Sequence, residues 1–326
     1  MITTYKTLNG RLEPSVGGDL SDLAAIVWID LANPDAAEED RLEAALAVDI
    51  PTHEDMQEIE PSSRLYSERG AVYLTAQIIA THDPNETEIA PVTFMLTPDR
   101  LITVRYHKPG SFDFFVEWAK VHDMGCSTGQ TTLMALIETV VDRLADVIEG
   151  EARKLDGLTR AIFAAHRPSG KSSTLSALLQ RIGRAEDLNG KVLESLSTLQ
   201  RLLGYLGTPL TGEAGEILQG LNKGQVETLA RDVRYLLEAA TTQSHKVRFQ
   251  LDATLGVINI RQSDIIKIFS VVAFVFLPPT LIASIYGMNF VHMPELKWPW
   301  GYPMAIGLMV LSALVPWLVF RAKKLL

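Results

Sequence analysis

The sequence predicts an α/β N-terminal cytosolic domain, a long-helix stalk, and a C-terminal two-helix transmembrane hairpin that the stalk enters directly. Three observations predict this order. Short runs rich in β-branched and aromatic residues, bounded by turn residues, fill the first third of the chain. From about Gln130 the pattern changes to apolar residues at helical spacing over long stretches. Two runs near the C-terminus then lack charge for about the ~20 residues a membrane helix needs.

Composition bounds the rest. A chain of 326 residues has room for two or three domains. Its 47% hydrophobic and 21% charged content suits a globular protein, so the average conceals where the apolar residues gather. The net charge of -9 argues against general nucleic-acid binding, which needs a basic footprint. Cys126 is the single cysteine, which excludes an intrachain disulfide and a cysteine zinc site. The start, MITTYKTLNGRLEP, lacks a basic n-region and an apolar h-region, so a secretory signal is not expected and the N-terminal part is placed in the cytosol.

In the α/β domain, taken as residues 1–128, the strand candidates are AAIVWIDL, AVYLTAQIIA, VTFMLT and RLITVRY. Between the first two lies NPDAAEEDRLEAALAV. There Asn33 is the expected cap, Pro34 the first helical residue, and acidic residues fill the first turn. Strands alternating with helices predict a sheet covered by helices.

The stalk is taken as residues 129–262. One helix is expected through TTLMALIETVVDRLADVIEGEARKLDGLTRAIFAAH, and a second through TLSALLQRIGRAEDLNGKVLESLSTLQRLLGYL. RPSGKSS and GTPLTGEAG are the breaks. From about Gly224 helical periodicity continues without proline to Pro278, and an unbroken helix to Tyr286 would be ~90 Å long.

The hairpin is taken as residues 263–326, with membrane spans at about 266–286 and 302–320 and an outer loop at 287–301. Arg261 and Lys267 precede the first span, and Arg321, Lys323 and Lys324 follow the second. The positive-inside rule then puts both termini in the cytoplasm. Trp298, Trp300 and Tyr302 stand where an interfacial aromatic belt stands. Two helices cannot enclose a pore, so a transporter of this design must be an oligomer.

Alternating steps of three and four from Asp252 reach Gly256, Asn259, Ser263, Ile266, Ser270, Ala273, Leu277, Thr280, Ser284 and Gly287. Most are small or polar in a sequence otherwise full of Phe, Val, Ile and Leu. Such a stripe is either a helix-packing face or a water-facing one, because polar residues against lipid cost free energy. A pore lining explains more, since the stripe opens on a carboxylate and stays neutral through the bilayer. Pro278 and Pro279 free carbonyls near Phe274 and Val275 and predict a kink.

Gly287-Met288-Asn289 after a tyrosine, then Met293-Pro294-Glu295-Leu296, close the first of two C-terminal membrane helices. With the basic ending RAKKLL and the runs INIRQSDIIKIFSVV and FLPPTLIASIYGMNF, this resembles the CorA family of divalent metal ion channels over the whole chain. The resemblance implies a homopentameric funnel in the bacterial inner membrane, with the long helix lining a pore. It implies influx of Mg²⁺ down its electrochemical gradient, with Co²⁺ also passing and Ni²⁺ as a further candidate.

The resemblance makes Gly287, Met288 and Asn289 the selectivity filter. Mg²⁺ dehydrates reluctantly, so a ring of Asn289 carbonyls would hold the hydrated ion through its water shell. Partial rather than full charge permits release as well as entry. Gly287 suits a turn or close approach, and Met288 has a packing role as its alternative. Glu295 is either a concentrator of cations at the outer mouth or a residue that structures the loop. Asp252, Ser263, Ile266, Leu277, Thr280 and Asn289 match pore-lining positions, although relatives often carry asparagine where Ser263 stands. Ile266 and Leu277 are the apolar constrictions, suited to gating by dewetting.

The family closes when cytosolic Mg²⁺ fills acidic sites between subunits, and Asp232 resembles one such position. HEDMQEIE, with His53, Glu54, Asp55, Glu58 and Glu60, is either a cation site or a solvated helix face. PSGKSS imitates a phosphate-binding loop but has Ala165 where the first glycine belongs, so no nucleotide is expected. No catalytic constellation is present, and neither an enzyme nor an organic cofactor is expected. The alternatives are a zinc or proton-coupled carrier of the same fold and a membrane-anchored sensor.

Overall fold

Alternation of apolar residues decides how the sheet is covered. In the computed structural model, which describes residues 1–8, 10–16, 20, 22–58, 60–83, 86–165, 172–288 and 292–323, seven strands form one sheet. They are β1 (Ile2–Leu8), β2 (Arg11–Val16), β3 (Ile26–Ala32), β4 (Leu65–Glu68), β5 (Ala71–Asp83), β6 (Glu86–Leu96) and β7 (Leu101–Arg105). Their order is β2-β1-β3-β7-β6-β5-β4. Among the described residues only β3 and β7 pair in parallel, Trp28 opposite Leu101, and the other pairings are antiparallel.

Successive side chains point to opposite faces. Trp28, Val72, Leu74, Phe94 and Leu101 fall in one buried cluster, while Ile29, Leu31, Tyr73, Met95 and Ile102 fall in the other. The first face is covered by α4 (Gly110–Val121), α5 (Gly129–Ala165), α6 (Ser172–Gly207) and the N-terminal part of α8 (Lys223–Tyr286). The second is covered by α1 (Ala36–Leu46) and α2 (His53–Gln57), through Leu42 and Met56. Short helices α3 (Pro61–Arg64) and α7 (Glu213–Leu218) connect longer elements, and α9 (Gly301–Ala322) closes the chain.

Trp28 centres the larger cluster. It is fully buried, stacks on Tyr5 at 4.2 Å and meets Phe115 edge-on at 5.6 Å. Its indole N–H donates to Thr103 Oγ1, whose hydroxyl donates to Asp30 Oδ1. Asp30 also accepts from the Arg105 guanidinium, so the polar groups of Trp28, Thr103, Asp30 and Arg105 are joined in one chain of hydrogen bonds.

The sequence reading missed β1, β2, β4 and α4. Leu8 and Arg11 are paired across a two-residue connection, Asn9–Gly10, of which Asn9 lies outside the described residues. Gly10 has φ +76°, and a Cβ there would meet the Asp123 carboxylate. The helix expected to begin with Asn33 as cap and Pro34 inside it begins two residues later. Asp35 is the cap, in a capping box with Glu38, and Asn33 has φ 46°. An N-cap needs extended backbone, which Asp35 has and the left-handed Asn33 does not, so the helix starts after Asp35.

By its contacts the chain forms two compact units. One is Met1–Ala161 with Ser176–Leu251, and the other is Ile162–Leu175 with Asp252–Leu326. Helix α8 is continuous from Lys223 to Tyr286 and contributes to both. Helical assignment runs without interruption through Pro278 and Pro279. Most of the RPSGKSS break, residues 166–171, lies outside the described residues.

Candidate functional site

The predicted stripe from Asp252 to Ser284 stands on α8 within the second unit, and Gly287 follows the end of the helix. Asp252, Asn259, Ser263, Ile266, Ser270, Ala273, Leu277, Thr280 and Ser284 are exposed, and Gly256 is partly so. The covered positions of the same segment follow a different line. Val271 is buried, and Val275, Pro278, Ile282 and Tyr286 are partly covered. At 100° per residue the line from Val271 to Ile282 lies roughly 150° around the helix from the stripe. Helix α9 meets α8 on a flank, with the Phe274 and Phe320 rings 5.9 Å apart. The small and polar residues therefore occupy an open side of α8, flanked by exposed apolar residues such as Phe269, Phe276 and Leu281.

Thr280 gives this side a defined polarity. Its hydroxyl donates to the Phe276 carbonyl at 2.7 Å, so only oxygen lone pairs remain to meet water. An oxygen that can only accept suits the hydrogens of a hydrated cation. The Ile266 and Leu277 side chains are 57% and 66% exposed on the same side.

The helix ends at the tripeptide. Gly287 N–H donates to the Ala283 carbonyl at 2.9 Å and Met288 N–H to Ile285 at 3.2 Å, which tightens the last turn. A Cβ on Gly287 would stand 3.2 Å from that Ala283 oxygen, so glycine permits the close pass. Met288 is about half exposed. Asn289 lies outside the described residues. Glu295 belongs to a 3-10 turn, Pro294–Lys297, that precedes α9. Trp298, Trp300 and Tyr302 are all more than half exposed beside it.

Both long apolar segments are bare: only 6% of the most apolar stretch of each is buried. Soluble core helices would be covered, so lipid is the solvent these segments fit.

Asp232 is exposed on the N-terminal part of α8. Sequence reasoning missed its neighbours on α5. Burial, then the charges of Asp146 and Asp232, push the Asp142 carboxyl above its usual range, and Arg143 opposes them. Glu138, one turn before Asp142, accepts from Gln225 of α8 at 3.2 Å. This acidic face joins residues about ninety positions apart, so no local pattern announces it.

His53–Gln57 of HEDMQEIE form α2, and Ile59 lies outside the described residues. Asp55 caps its own helix in a box with Thr52, and the His53 ring packs on Tyr106 at 4.4 Å. Among the described residues, no three His, Cys, Asp or Glu side chains converge to hold a metal. Of the two readings of that segment, the solvated helix face fits.

Comparison with known proteins agrees with this layout. The profile of the family described as CorA-like Mg²⁺ transporter protein matches residues 24–324. The chain is 34% identical over 323 residues to a protein of Pectobacterium atrosepticum named magnesium transport protein CorA, covering 99% of each. It is likewise 34% identical, over 99% of each chain, to the protein of that name from Escherichia coli K12. The structure resembles the complete CorA magnesium transporter from Methanocaldococcus jannaschii with a TM-score of 0.73, covering 98% of this chain and 97% of that one at 17% identity. That last likeness concerns the fold alone. The family match across nearly the whole chain, together with the two bare apolar helices that close it, shows that this chain belongs to the CorA-like Mg²⁺ transporter family.

Proposed function

We propose that the protein is a homopentameric channel that admits Mg²⁺ through the bacterial inner membrane, with both termini in the cytoplasm. The observation that carries this is the open side of α8, where small and polar residues recur from Asp252 to Ser284 opposite the covered line. Five such sides around an axis make a water-facing passage, and the alternative, five polar stripes against lipid, is costly. Gly287, Met288 and Asn289 form the entry filter, where a ring of asparagine carbonyls holds the hydrated ion. Ile266 and Leu277 form the apolar constrictions. Glu295 enriches cations at the outer mouth. Co²⁺ and Ni²⁺ share the charge and octahedral hydration of Mg²⁺ and pass by the same filter. The membrane potential drives influx, at about 2.3 kcal/mol per charge per 100 mV.

Closure follows from the acidic face. Asp232 stands with Asp142 and Asp146, whose mutual repulsion a cation relieves. Because no three such ligands converge within one chain's described residues, a regulatory Mg²⁺ here takes its remaining ligands from water or from a neighbouring subunit.

The test is Mg²⁺ influx into liposomes holding the purified protein, wild type beside Asn289→Ala, with Zn²⁺ as comparison ion and cross-linked mass as the readout of assembly. Mg²⁺ flux that is lost in the variant at unchanged pentamer mass supports the asparagine ring. Transport of Zn²⁺ alone, or a variant that conducts Mg²⁺ like the wild type, removes it.

A further inference from the structure

A cavity of about 530 Å³ opens among β5, β6, α4, α5 and α6, wholly inside the first compact unit. Conduction makes no use of it. Its wall is mostly apolar, with Phe114, Val140, Leu144 and Val147 among the lining residues. The Arg143 guanidinium lies 3.8 Å over the Phe114 ring and makes part of that wall flat. Size and lining are those of a small-molecule site.

The polar groups set the sign of the ligand. Helix α4 begins at this cavity with Gly110 and Ser111 and has no side-chain cap. Phe112 N–H donates to the Pro109 carbonyl, whereas the Gly110 and Ser111 N–H groups have no acceptor within the helix and carry partial positive charge. Ser111 is 6% exposed, and its Oγ has no hydrogen-bond partner among the described residues. A buried hydroxyl left so costs free energy that a ligand would recover. The lining side-chain charges cancel: Arg143 is paired with Asp146 at 3.1 Å and Lys154 with Glu151 at 2.5 Å. Asp113, the acidic residue of the first turn of α4, is exposed and does not line the cavity, so the side of this N-terminus that faces the cavity keeps the Gly110 and Ser111 N–H groups.

We propose that this cavity binds a small amphipathic anion, one phosphate, sulfonate or carboxylate group on a flat apolar body. The anionic group sits at Ser111 and the first turn of α4. The apolar body lies along Phe114, Val140 and Val147.

The probe is 1-naphthyl phosphate, titrated by its fluorescence into the full chain in lipid nanodiscs, with empty nanodiscs subtracted. Saturable binding at one site per chain is expected. Gly150 lines the cavity, and a Cβ there meets nothing within 4 Å. Gly150→Leu therefore fills the space while favouring the helix, and is expected to abolish binding with the thermal unfolding temperature kept or raised. Ser111→Ala is expected to weaken binding about tenfold. Inorganic phosphate and 1-naphthylmethylammonium are each expected to bind at least about tenfold more weakly than the probe. Absence of saturable binding, unchanged binding in Gly150→Leu, or an ammonium analogue that binds as tightly as the phosphate would each overturn the site. None of these results touches the conduction reading.

Discussion

Gln250 of α8 donates its side-chain amide to the Leu155 carbonyl of α5 at 2.7 Å, and Gln243, two turns earlier, donates to the Ile148 carbonyl at the same distance. Both glutamines are buried, and Gln250 also donates to Thr159 Oγ1. Donors and acceptors are each one heptad apart, so the two contacts hold one register between the helices. A slip by one residue breaks both. Each carbonyl also serves its own helix, so losing a rung costs about 1 kcal/mol rather than the price of an orphaned group. The double change Gln243→Met with Gln250→Met is expected to remove about 2 kcal/mol and lower the unfolding temperature by roughly 5 °C, read by thermal unfolding of the purified chain.

The open side of α8 is testable by cysteine substitution, because the native background is silent. Cys126 is fully buried, and burial pushes its thiol up to about 11. Thiolate is the reactive form, so a charged aqueous methanethiosulfonate reagent leaves it alone near neutral pH. Cysteines placed at Ser270, Thr280 and Ser284 are expected to react and to block Mg²⁺ flux. Those at Val271 and Ile282 are expected to react at least about tenfold more slowly. Equal rates on the two lines would mean that the stripe does not face water.

Asp30 and Arg105 form a buried pair, Nη2 to Oδ2 at 2.8 Å, with both residues under a tenth exposed. Removing one partner leaves the other charge stranded. Asp30→Asn is expected to cost about 3–5 kcal/mol, and adding Arg105→Met should recover part of it. A double variant less stable than the single one would show that the pair itself is not what Asp30 supplies.

Local signals carried some of this architecture and not the rest. The long helix was legible to its last residue, Tyr286, because periodicity and the absence of early proline are covalent facts of one segment. The paired strands β1 and β2 went unread because the Thr-rich β1 lacks a clean alternation of apolar and polar residues. The cap was misplaced because Asn33 and Asp35 both suit the role by residue type, and what separates them is backbone conformation, left-handed at Asn33 and extended with a Glu38 capping box at Asp35. The stripe on α8 follows from spacing alone, whereas the approach of Asp142 to Asp232 needs two helices packed side by side. Nothing local encodes that contact.

The raised Asp142 carboxyl makes a prediction with a definite sign. Its fold favours the protonated form, so the site imposes no penalty below the unfolded value of about 4. The penalty grows as pH rises through the higher folded value and is complete at neutrality. Asp142→Asn is expected to raise the unfolding temperature by about 1 °C at pH 7.5, a small effect because the group is largely solvent-screened, and to change nothing at pH 4. A gain at pH 4 that vanishes at pH 7.5 would reverse the assignment.

All seven strands, with every pairing among them, end by Arg105, while the first long uncharged run begins at Ile268. A ribosome adding ~5–20 residues per second leaves several seconds or more between those points. The slowest part of the fold, a mixed sheet with one parallel pairing, thus has its complete set of partners before any lipid-seeking segment leaves the exit tunnel. Vectorial synthesis separates the two steps that would otherwise compete, strand pairing in water and insertion into the bilayer.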